Sequence, residues 1–133
     1  MKKALGIVPL AMLLLGAPAL SDEISLDRNK VHIGSGVICD TQDEVQRFVN
    51  LMADKDAGGA LQTVNRETEN PLACGMATVA FRAGKEHGEV RNSKGSYKIL
   101  EIEVIAGTAN GSWHMIVPKR TQFTAIPLPG IEI

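Results

Sequence analysis

Aromatic side chains are scarce in this chain: its 133 residues include three phenylalanines, one tyrosine and one tryptophan. Val, Ile, Leu, Met and Ala must therefore fill most of any core, and a thin core in a small domain gains from a covalent tie. Histidine is equally scarce, with His32, His87 and His114 on three separate segments. No CxxC or HxxxH spacing accompanies them, so the pattern of a transition-metal site is missing, and the expectation is a protein with no cofactor and no stoichiometric metal. Basic residues are dispersed, Lys119-Arg120 being the one adjacent pair after the first few positions. A nucleic-acid footprint or attraction to anionic lipid needs a clustered positive patch, so neither is expected. The longest apolar run, from Ala4 to Leu15, falls well short of the roughly 20 residues that cross a bilayer as a helix.

That run has a different meaning in its setting. "MKK" gives a positive start, "ALGIVPLAMLLLG" an apolar middle and "APAL" small residues suited to a peptidase, which is the three-part order of a secretory signal. The expected division is a signal peptide over residues 1–21, a flexible lead-in over 22–30 and one small domain over 31–133. Cleavage is expected after Ala19 or Ser21. No cysteine follows the small residues, so a lipid-attachment box is missing, and Lys2-Lys3 is not a twin-arginine pair. Losing the signal removes 2 of 14 basic residues and none of 15 acidic ones, leaving 12 against 15 and a net charge of −3. The expected location is the periplasm or the medium.

Export bears directly on Cys39 and Cys74, the only two cysteines. In an oxidising compartment a pair of cysteines in a domain of this size is expected to form a disulfide. A catalytic thiol would need a histidine beside it in space and would tend to be consumed by oxidation there.

Periodicity then sets the architecture. "VHIGSGVICDT" alternates apolar residues around Gly34 and Gly36 and reads as a short strand or extended arm; it lacks the third glycine of a phosphate loop. In "TQDEVQRFVNLMAD", Thr41 and Glu44 have capping-box spacing. Val45, Phe48, Val49 and Met52 follow at i, i+3, i+4 and i+7, one apolar helix face. "AGGALQTVNRE" predicts a second short helix with Leu61 and Val64 inward. From Cys74 the period becomes two: Ala77, Val79 and Phe81 share a face, and Leu100, Ile102, Val104 and Ala106 share another. Between them, "RAGKEHGEVRNSKGS" reads as a polar, glycine-punctuated excursion. Glu101 and Glu103 read as solvent-facing charges, with a catalytic carboxylate pair as the alternative. Asn110-Gly111 predicts a hairpin, Trp113 to Val117 its return strand, Pro118 the end of that strand, and "TQFTAI" a last short one. The fold class that follows is α+β: a capped N-terminal helix, with a second helix beside it, packed on a C-terminal antiparallel sheet or small open barrel.

The succession "GVICDTQDEVQRFV", "LACGMATVAF" and a terminal strand array resembles small exported bacterial proteins of unknown function, over nearly all of the chain beyond the signal. Its motifs are structural and imply no activity. The "NGSW" hairpin and the short strand after it are similar to bacterial SH3-like modules, a resemblance that implies a small open barrel binding peptides or cell-wall material.

No nucleophile, base and orienting group can be named together, so the leading expectation is a non-enzymatic exported binding module of the envelope, a partner or inhibitor of an envelope protein. A small hydrolase with an unrecognised site, or a carrier of a small ligand or metal, is the alternative. Trp113 is the one side chain singled out for partners. It is read first as core and otherwise as a partner anchor.

Overall fold

Thr41 opens the first helix, and the capping box is formed there: its hydroxyl accepts from the Glu44 amide at 3.2 Å while the Glu44 carboxylate accepts from the Thr41 amide at 3.0 Å. In the computed structural model, which describes residues 26–128, this helix, α1, spans Gln42–Leu51 and buries Val45, Phe48 and Val49 on one stripe. A second helix, α2, spans Ala57–Glu67 and is started by Asp56, whose carboxylate accepts from the Gly59 amide at 2.7 Å. It buries Ala60, Thr63 and Val64. Four strands complete the described residues: β1 (His32–Cys39) before the helices, then β2 (Cys74–Asn92), β3 (Gly95–Ala109) and β4 (Ser112–Pro127). Two helices on a four-stranded antiparallel sheet are the α+β class expected. The expected signal segment lies outside the described residues. Of the expected lead-in, residues 26–30 are described; they turn back on themselves, with Asp27 accepting from Lys30 N and Asn29 N.

The strand order β1-β2-β3-β4 closes on itself, because β1 also meets β4 at Ile38↔Thr124 and Cys39↔Phe123. This seam is only two pairs long, and the Thr124 hydroxyl extends it by donating to the Val37 carbonyl at 2.6 Å. Successive strand residues point to opposite faces, so each strand feeds two cores. Ile38, Phe81, Leu100, Ile102, Val104 and Ile126 fill the inside of the closed sheet. Their neighbours Val37, Cys39 and Ile99 lie on the outer face, under Val45, Phe48, Val49 and Val64 of the helices. The β2–β3 turn is anchored to the same layer, since Asn92 Nδ2 donates to the Val49 carbonyl at 2.8 Å.

Three local expectations change. The polar excursion after Phe81 is strand: β2 continues to Asn92 and turns at Ser93-Lys94. Three of its polar side chains have cross-strand partners, Arg82 with Glu103 at 3.8 Å, Glu86 with Lys98 at 3.2 Å and His87 with Glu101 at 3.0 Å. Pro118 does not end β4. The Val117–Pro118 peptide is cis, and the ladder passes from Ala106↔Met115 to Val104↔Arg120, leaving 116–119 out of register. Ala106 leaves the face of Leu100, Ile102 and Val104, because β3 gains a residue between Phe81↔Val104 and Ala80↔Ala106. The Asn110-Gly111 hairpin forms as expected, with φ of 53° and 81°, the positive pair that a type I′ turn requires.

Gly84 is the glycine that packing requires. A Cβ there would sit 2.9 Å from the Glu101 carbonyl oxygen, a backbone atom with little room to yield, whereas one at Gly75 would meet nothing within 4 Å. Gly84→Ala is expected to cost about 1–3 kcal/mol by overpacking, and Gly75→Ala less than about 0.5 kcal/mol. Urea denaturation of the two variants side by side checks this; equal midpoints would contradict the close approach.

The helices are joined by a forked pair, Arg47 Nε to Glu67 Oε1 at 3.0 Å and Arg47 Nη2 to Glu67 Oε2 at 2.9 Å. The hydrogen bond from Arg47 holds the Glu67 carboxyl below its usual range. A carboxyl depressed in the folded state adds stability above its unfolded pKa of about 4 and loses it as pH falls through the folded value. Both side chains are exposed, so the effect is modest and screened by salt. Glu67→Gln is therefore expected to flatten the acid limb of the melting temperature against pH at low ionic strength. An unchanged acid limb would remove this pair from the acid response.

Candidate functional site

Cys39 and Cys74 are directly opposite in the β1–β2 ladder, their Cα atoms 4.1 Å apart, and they form a disulfide as expected. Both are buried in the helix-covered core. Asn65 of α2 holds the same place from the other side: its side chain accepts from Cys74 N at 2.9 Å and donates to Cys74 O and Pro71 O, each at 3.1 Å. The bond thus ties β1 to β2 beneath the helices, and Asn65 links that point to α2, with no free thiol among the described residues.

The histidines do not converge. His32 bonds the Asp27 carbonyl at 2.8 Å and leans on Phe81, His87 pairs with Glu101 against the edge of Phe123, and His114 is exposed on β4. Among the described residues no three His, Cys, Asp or Glu side chains are placed to hold a metal ion. Glu101 and Glu103 each have a cross-strand partner, His87 and Arg82, rather than one another. Met52 packs against the helix-covered core, as its helical spacing implied.

Trp113 is not core. It is 48% exposed, because the helices cover the outer face over Val37, Cys39 and Ile99 and leave it open farther along the strands. Residues opposite one another in an antiparallel ladder share a face. On this open region the ladders align Ile33↔Ala80, Ala80↔Ala106 and Ala106↔Met115, one apolar row across all four strands. Beside it run Ser35↔Thr78, their hydroxyls 2.6 Å apart, and Thr108↔Trp113. Neither row contains a charged residue. Ile33 is 56% and Met115 68% exposed, while Ala80 is half-buried and Ala106 only 7% exposed, so the exposed apolar surface lies at the two ends of the row. Four strands spaced about 4.8 Å apart make it roughly 14 Å wide. Sequence spacing pointed to Trp113 alone. The two-residue interval Trp113, Met115, Val117 carries the rest of the β4 signal, but its joining to Ile33 depends on pairings between strands far apart in sequence.

These features define a small α+β domain with a sheet closed by a short seam, one disulfide under its helices and an open uncharged strip on its outer face. No family model, no curated protein and no solved structure matches the chain. Among the described residues no helix is long and apolar enough to cross a membrane, a statement that concerns helices only.

Proposed function

We propose that this protein is a non-enzymatic, exported binding module of the bacterial envelope, kin to small exported bacterial proteins of unknown function and with C-terminal strands akin to SH3-like modules, and that its outer strip with Trp113 receives an envelope protein. The observation that carries the reading is the exposed Ile33 and Met115 at the ends of an uncharged row, with the half-exposed Trp113 beside it. Large apolar side chains cost hydration free energy when left in water, and contiguous exposed groups of them mark interaction surfaces. Tryptophan is the side chain most enriched among residues that dominate binding energy. A disulfide between the only two cysteines supports export.

Truncation at Trp113 separates this from a core role. Trp113→Ala is expected to change folding stability by less than about 1 kcal/mol, and iodide is expected to quench the native tryptophan fluorescence. Affinity capture from solubilised envelope, with the protein as bait, is expected to retain a partner that Trp113→Ala and Met115→Ser lose. A stability loss of several kcal/mol, or capture that both variants retain, would overturn the reading.

A further inference from the structure

Away from that strip, the long β2 strand carries two bulges against β3. Ala83 pairs with Ile102, Glu86 with Leu100 and Glu89 with Lys98, so β2 gains one residue at each step. Bulges bend a strand and re-aim its side chains. The first of the two, Ala83 to Glu86, borders a cavity of about 330 Å³, at the small end of ligand sites. Its lining mixes apolar side chains, Leu100 and Ile126 from the core inside the sheet, with a charged set, Arg28, Lys85, Lys98 and Glu86, at the rim.

Lys98 is the unusual member. It occupies the same strand parity as Leu100 and Ile102, so it belongs to the inward-facing set, and only 9% of it is exposed. An ammonium offers three donors, and the bond recorded for this one is to Glu86 Oε1 at 3.2 Å. Glu86 is half exposed, and no carboxylate pairs with Arg28 or Lys85 among the described residues. The rim thus has three cations against one anion, on a chain whose formal net charge is −1. A charge surplus over an apolar wall is felt more strongly than on open surface, because the local dielectric is low.

We infer that this cavity is a binding site for a medium-chain monocarboxylate, the carboxylate received by Lys98 with Arg28 and Lys85 and the hydrocarbon lying on Leu100 and Ile126. The inference is independent of the proposed partner surface, since no residue is shared between them.

The test is calorimetric titration of the purified protein with octanoate, with octan-1-ol and acetate as the tail and the head alone. Octanoate is expected to saturate one site, and the other two to bind at least about tenfold more weakly, a difference of about 1.4 kcal/mol. Lys98→Met, which keeps an apolar side chain of similar length, is expected to weaken octanoate at least tenfold, and Glu86→Gln, which releases the ammonium from its acid, to tighten it. Should Lys98→Met not fold, the exposed double variant Arg28→Gln, Lys85→Gln is expected to weaken octanoate severalfold and to flatten its salt dependence. Absence of octanoate binding, equal binding of octan-1-ol, or affinity indifferent to these substitutions would each overturn the assignment.

Discussion

Replacing both cysteines with serine is expected to destabilise the protein by roughly 4 kcal/mol. The bond closes a segment with a separation of 35 residues, and chain-entropy reasoning for a loop of that size gives about 4 kcal/mol, less whatever structure the unfolded chain retains. The serine hydroxyls add to the loss, because Cys39 is fully buried and Cys74 nearly so among Val45, Phe48 and Ile99. In a domain of about 100 residues that loss shifts the melting temperature by on the order of 20 °C. Differential scanning calorimetry of three samples resolves the parts: oxidised wild type melts highest, reduced wild type lower, and Cys39→Ser, Cys74→Ser lowest. Reduced protein with both thiols demonstrably free and an unchanged melting temperature would show that the helix layer stays on the sheet without the bond.

Phe48→Ala is expected to cost about 3–5 kcal/mol, the range for truncating a buried aromatic. Phe48 is 2% exposed and is the largest side chain that α1 sends into the helix-covered core. Its neighbours there are mainly short or β-branched, Val37, Val45, Val49, Ala60 and Val64 among them, and such side chains have few rotamers with which to fill a void. Phe48→Leu keeps most of the volume and is expected to lose less. Guanidinium denaturation compares both with Ile33→Ala on the open strip, expected within about 1 kcal/mol of wild type; a Phe48→Ala loss no larger than that of Ile33→Ala would mean the helices are not held by this contact.

The difference between Phe48 and Trp113 shows what was legible in the chain. Phe48 is placed by neighbours three and four residues away on one helix, so its burial follows from local spacing. Trp113 is placed by where α1 and α2 come to rest, a matter of contacts spanning much of the chain, and its size alone suggested the wrong side. The β2 arm is a similar case. Lys85 to Arg91 look like loop because they are polar and contain Gly88, yet pairing with β3 makes them strand, and Lys98 and Glu101 supply partners for Glu86 and His87 from across the ladder.

Local chemistry in the sequence sufficed for the capping box at Thr41 and Glu44, the Asn110-Gly111 turn, the alternation from Leu100 to Val104, and, by simple count, the Cys39–Cys74 pair. Each depends on interactions a few residues long or on there being no other partner. Only the tertiary structure decided that β1 returns to β4 at Ile38 and Cys39, that the helices cover one part of the outer face and leave Ile33 and Met115 open, and that Lys98 lies beside a cavity bordered by a β2 bulge. These follow from register and layer choice, which are set by the summed packing of distant segments, and a shift of one residue in any ladder would exchange the inner and outer faces.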